Sequence, residues 1–197
     1  MKDKFLDVIS IFDRNDLHPK GEAWNALIVF SSWAVSSFLF VVWASTYHPE
    51  NQFYQAAIDE GIGPNLWNAI GSFGLFSFGV AILTPTLRMP SSIAKTILSN
   101  TYAIGCLTFG LLVGQWVLLP YHELSWWQQG LFGITSSFLL AIVFVLNLVA
   151  WYLSFLIDNS PQKKSGFIDK LTKTHWLWRA GLGLSISGIS LLVFLYA

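Results

Sequence analysis

Residues Gln129–Ile157 read QGLFGITSSFLLAIVFVLNLVAWYLSFLI, without one Asp, Glu, Lys or Arg. A bilayer's hydrocarbon core is about 30 Å thick and a helix rises about 1.5 Å per residue, so roughly 20 apolar residues cross it. This run is longer, which predicts a spanning helix with length to spare for tilt or projection. The same search predicts spans at Trp24–Ala44, Leu66–Thr84, Thr101–Leu119 and Leu177–Ala197, the last interrupted only by Arg179 near its start. The expected fold class is all-α: an integral membrane bundle of five transmembrane helices in one domain over residues 1–197, with residues 1–22 as a cytoplasmic amphipathic arm.

Composition supports this reading. Of 197 residues, 54% are hydrophobic and only 11% charged, with a mean hydropathy of +0.55. Soluble domains carry roughly 25% charge, so too little polar surface is available to cover a water-soluble globule. Disorder needs the opposite composition. Eleven Lys and Arg balance eleven Asp and Glu, which leaves no basic footprint for nucleic acid. The single cysteine, Cys106, excludes an internal disulfide and any cysteine-based zinc or iron–sulfur site.

Prolines and charges give independent checks. Pro19, Pro49, Pro64, Pro85, Pro90, Pro120 and Pro161 all fall in loops or at span ends, as expected of a residue that breaks helix interiors. Every Lys and Arg lies before span 1, between spans 2 and 3 or between spans 4 and 5, with Arg179 at the start of span 5. The opposite loops, Ser45–Asn65 and Pro120–Gln128, carry Glu50, Asp59, Glu60 and Glu123 instead. The positive-inside rule then places the N-terminus in the cytoplasm and the C-terminus outside. Nine of ten tryptophans lie near span ends, where indole prefers the interface; only Trp33 lies mid-span. The first apolar run lacks a small-residue cleavage site, so span 1 is expected to be retained.

Three stretches on the cationic side have amphipathic spacing: Lys4–Asp13, Ser92–Leu98 and Gly166–Lys173. Their apolar faces either lie along an anionic leaflet or pack on the bundle.

Within the spans no central position is ionisable, which removes the usual carboxylate of a proton relay and the arginine ladder of a voltage sensor. The deep polar residues Gln115 and Asn147 either bond across helices or, with Trp33, line a solute path. Cys106, Gly110 and Gly114 repeat every four residues and form a helix-packing face. Ser32 with Ser36, Gly181 with Ser185, Gly183 with Ser187, and Gly71, Gly74 and Gly79 are further small-residue candidates.

The loops at the acidic side hold Tyr47-His48-Pro49-Glu50 and Tyr121-His122-Glu123. Spans 1 and 3 run in the same direction, so His48, His122, Glu50 and Glu123 share one side and form a candidate site for a divalent metal; the histidines alone could ligate a haem. The alternative is interfacial Tyr and His at helix ends. No HExxH, GxSxG or GxxxxGK[ST] pattern occurs. The expected role is a non-enzymatic subunit or accessory/assembly factor in a bacterial inner membrane or organellar equivalent. Its expected partners are the lipid bilayer and either other membrane subunits or further copies of itself. The alternatives are a small-solute or ion facilitator, and a metal- or haem-binding redox component.

Overall fold

Prolines and capping side chains set where each helix starts and stops. The computed structural model describes residues 17–19, 21–59, 64–119, 123–157 and 167–196. It places α1 at Glu22–Tyr47, α2 at Gln52–Asp59, α3 at Pro64–Leu83, α4 at Arg88–Leu118, α5 at Trp126–Ile157, α6 at Phe167–Leu171 and α7 at Trp176–Tyr196. No strand occurs among the described residues. The arm Lys4–Asp13 lies outside them.

α1 ends where His48 N donates to Ala44 O (2.9 Å) ahead of Pro49, which disfavours further helix. Asn51 restarts the chain as a cap: its Oδ1 accepts from the amides of Phe53 (3.0 Å) and Tyr54 (3.3 Å). Pro64 opens α3 and Pro90 sits in the first turn of α4, positions where no internal hydrogen bond is lost. Gln128 Oε1 accepts from the Ser125 amide (3.0 Å) and hydroxyl (2.7 Å), the reach-back half of a capping box at the start of α5.

α4 is the central element, packed against α1, α3 and α5; α7 packs on the far side of α3. Residue pairs give the directions. Along the α1–α4 seam Ala26 packs with Tyr102, Ala34 meets Gly110 and Val41 meets Gly114, so numbers rise together and the helices are parallel. Against α5, Gly105 meets Asn147 while Ser99 meets Ser154, so that pair is antiparallel. α3 is antiparallel to α4, with Gly71 on Thr101 and Gly74 on Leu98. α7 is antiparallel to α3, with Ser72 on Ser190 and Gly79 on Ser187. Thus α1, α4 and α7 point one way, and α3 and α5 the other.

Among the described residues, four helices are long and apolar enough to cross a membrane: α1, α4, α5 and Trp176–Leu195 of α7. The apolar part of α3, Trp67–Leu83, is shorter. α3 is also set back along the bundle. Residues of α4 meeting α1 run from Tyr102 to Gly114, whereas those meeting α3 run from Ala94 to Gly105. The offset is on the order of 13 Å at about 1.5 Å per residue. α2 packs beside the opposite part of α4: Ile58 sits with Val41 and Ala44 beside Leu111, and Gln115 Nε2 donates to Ile58 O (2.7 Å).

One sequence expectation changes here. Trp67 is not an interfacial tryptophan; the set-back of α3 carries its ring inward, and its Nε1 donates to Thr101 O (3.2 Å). Ser92–Leu98 is part of α4: Ala94 and Leu98 are buried against Phe78, Ile82 and Ile157, while Ile93 of its expected apolar face is exposed. The same cluster takes Ile168 and Leu171 of α6, which are 1% and 3% exposed. The apolar face of α6 therefore packs on protein. Among the described cations, Arg88, Lys95, Lys170, Lys173 and Arg179 lie at the end of the bundle where α4 begins and α5 finishes. Glu50, Asp59 and Glu123 lie toward the opposite end, while Glu22 opens α1 at the cationic one.

Candidate functional site

The deepest polar group is Asn147, which an otherwise apolar α5 carries into the junction with α3 and α4. It is fully buried, and neither Oδ1 nor Nδ2 has a hydrogen-bond partner among the described residues. Gly105 makes the space: the Asn147 amide occupies the position a Cβ would need, and Trp67 Nε1 would lie 2.7 Å from that Cβ. The neighbouring groups are already engaged. Trp67 donates to Thr101 O, and Thr101 Oγ1 donates to Ile97 O (2.9 Å). An unsatisfied buried amide costs about 1–3 kcal/mol. Amide, indole and hydroxyl groups exchange no proton near neutral pH, so this junction offers hydrogen bonds rather than acid–base chemistry.

The other candidates for a solute path lie elsewhere. Gln115 is ten residues along α4 from Gly105, about 15 Å at the usual helical rise, and its amide ties α2 to α4. It also borders a groove of about 210 Å³ between α4 and α5, lined by Leu112, Phe132, Leu139 and Val143 among others. Trp33 is 48% exposed on the outer surface of α1. The structure does not bring Gln115, Asn147 and Trp33 to one place.

Comparison with known proteins finds no matching family model, no similar curated protein and no similar solved structure. The residues themselves carry the functional reading.

His48 packs its ring 4.7 Å from that of Trp43 and 5.5 Å from that of Tyr54. Glu50 is exposed in the following turn. His122 lies outside the described residues, and Glu123 begins the short turn before α5. Among the described residues no three His, Cys, Asp or Glu side chains converge as metal ligands would.

Cys106, Gly110 and Gly114 all face α1. Cys106 is fully buried with Ala26, Phe30, Ala34 and Tyr102. A Cβ at Gly110 would collide with Ala34 O and Ser37 Oγ, and one at Gly114 would lie 2.7 Å from Val41 Cβ. The Tyr102 hydroxyl donates to Ala26 O (2.6 Å) at one end of this seam. Ser32 and Ser36 are not in it. They face outward and donate to carbonyls of their own helix, Ile28 O (2.8 Å) and Ser32 O (2.7 Å). Of the two small pairs in α7, Gly183 and Ser187 meet α3, while Gly181 and Ser185 point away. Sequence reasoning passed over Gly105, four residues after Thr101 on α4; its signal is an Asn on a facing helix that needs room.

Proposed function

We propose that this chain is a five-span membrane protein with its cationic end in the cytoplasm, acting as a non-enzymatic subunit or assembly factor of a membrane complex. A bacterial inner membrane or its organellar equivalent is the setting. One observation carries this reading: several polar side chains inside the bundle tie one helix to another. Tyr102 holds α1, Gln115 holds α2, Ser99 meets Ser154 of α5 at 2.6 Å, and Ser190 Oγ donates to Ser72 O at 2.5 Å. Such joints build a scaffold. The peripheral α7 meanwhile leaves Leu182, Leu184, Ile189, Leu192 and Leu195 exposed for lipid or a partner helix.

The test is native extraction in mild detergent followed by sizing and quantitation of copurified chains. A fixed stoichiometry with other membrane subunits supports the reading; a lone monomer that leaves no complex altered when deleted contradicts it. A small-solute facilitator is the second reading, favoured by the unpartnered amide of Asn147. Solute-permeable vesicles that lose permeability with Asn147→Leu would establish it.

A further inference from the structure

Arg179 stands in the first turn of α7, on the same helical face as Gly183, Ile186 and Ser190, at spacings of four, seven and eleven residues. Gly183 and Ser190 touch α3, and Ile186 packs on the cluster that holds Phe78 and Ile82. The guanidinium stem is therefore drawn toward the mouth of the α3–α7 seam. Its Nε is buried and has no hydrogen-bond partner among the described residues. A half-buried guanidinium is a fork of donors that favours an anion with several oxygens.

The segment just before it supplies more positive charge in a fixed position. Ile168 and Leu171 anchor α6 in the core. Lys173 N then donates to Lys170 O (3.0 Å), Thr174 Oγ1 to Leu171 O (2.7 Å), and Leu177 N to His175 Nδ1 (3.3 Å). This turn leads straight into α7 and keeps Lys173 outside it, exposed. Trp176 and Trp178 are exposed on either side of Leu177, as in an interfacial aromatic belt. Because the apolar face of α6 is already covered by protein, α6 has no insertion face of its own, and the corner meets the leaflet through cations and indoles.

We propose that the α6–α7 corner binds the phosphate of an anionic membrane phospholipid, with Arg179 as the anchoring donor and Lys173 as the outer cation. The inference rests on the transmembrane reading above, which puts this corner at headgroup depth. Such a site selects lipid by charge and is weakened by salt, unlike an amphipathic helix that inserts an apolar face.

The full chain, reconstituted in phosphatidylcholine vesicles, is probed with spin-labelled phosphatidylglycerol and spin-labelled phosphatidylcholine. Wild type is expected to restrict the anionic probe about fivefold more strongly, the scale of one well-placed cation. The preference should fall toward unity in Arg179→Gln and shrink at about 1 M salt, where the Debye length is about 3 Å. Lys173→Gln, on an exposed turn, tests the same site if Arg179→Gln fails to fold, and should lose part of the preference. Equal restriction of both probes by wild type, or an unchanged preference in both variants, overturns the proposal. So does loss of the preference in inorganic phosphate at an ionic strength where sodium chloride leaves it intact, which would assign the site to a soluble anion. Labelling Glu50→Cys and Arg88→Cys, at opposite ends of the bundle, from one side of the vesicle reports crossing and orientation, so failure of the transmembrane reading is seen separately from failure of the lipid site.

Discussion

The α1–α4 and α3–α7 seams both bring backbones close, but by different means. In the first, glycine comes from one helix only. Gly110 and Gly114 of α4 receive Ala34, Ser37 and Val41 of α1. Beside them Phe30 packs its ring 5.1 Å from Phe109 and 5.0 Å from Phe144 of α5, so a third helix seals the joint. In the second seam both helices give up side chains: a Cβ at Gly183 would lie 2.8 Å from Gly79 O, and Gly79 faces Ser187. Among the described elements, α7 has no large packing surface other than α3. The first seam is an interior joint held from three sides, and the second attaches a peripheral helix. Without a hydrophobic driving force between helices in lipid, close packing and interhelical hydrogen bonds carry both.

Mutations can break this contrast in graded order. Gly110→Ile should have the largest effect, because its side chain meets the Ala34 carbonyl, which cannot swing away. A loss of about 3 kcal/mol, the upper range for overpacking, should appear as aggregation or a collapsed thermal transition in detergent. Gly183→Leu should cost about 2 kcal/mol by the same mechanism but act locally. Protease or hydrogen-exchange protection should fall in α7 and α3 while α1 and α4 stay protected. If both variants unfold the chain in one step, the distinction between interior and peripheral seams is wrong.

Much of this was legible from residue spacing, and what was not has identifiable causes. A 29-residue uncharged run and the alternation of cationic and acidic connections are long-range patterns that tolerate local detail. The spacing of Cys106, Gly110 and Gly114 marks one face because four residues nearly complete a helical turn. The same rule marks Ser32–Ser36 and Gly181–Ser185, which face away from the bundle. Spacing defines a face but not its direction; the bulky neighbours decide that, and on α1 Phe30 and Val41 take Ala34 and Ser37 inward. Trp67 shows the other limit. A tryptophan at a span end reads as interfacial only if the spans are level, and the offset of α3 depends on tertiary packing at Gly71 and Gly74. The junction at Asn147 combines one residue from each of three helices, so no local motif announces it.

Smaller effects sharpen the picture. Asn147→Leu should be neutral or stabilising by about 1 kcal/mol in thermal unfolding, since it removes two buried unpaired groups. A clear loss would mean that the amide holds a hydrogen bond to something else. Gly181→Leu, with open space around it, should change stability by less than about 0.5 kcal/mol. If it instead dissociates a native complex without unfolding the chain, that face of α7 is where a partner helix docks.

The central claim is an alternating bundle that crosses the bilayer with its cations on one side. With Cys106→Ala as background, Glu50→Cys and Lys173→Cys place single thiols at opposite ends of the bundle. An impermeant maleimide applied to intact cells should label Glu50→Cys at once and Lys173→Cys only after permeabilisation. Labelling of both thiols without permeabilisation, or of Lys173→Cys alone, would contradict the account.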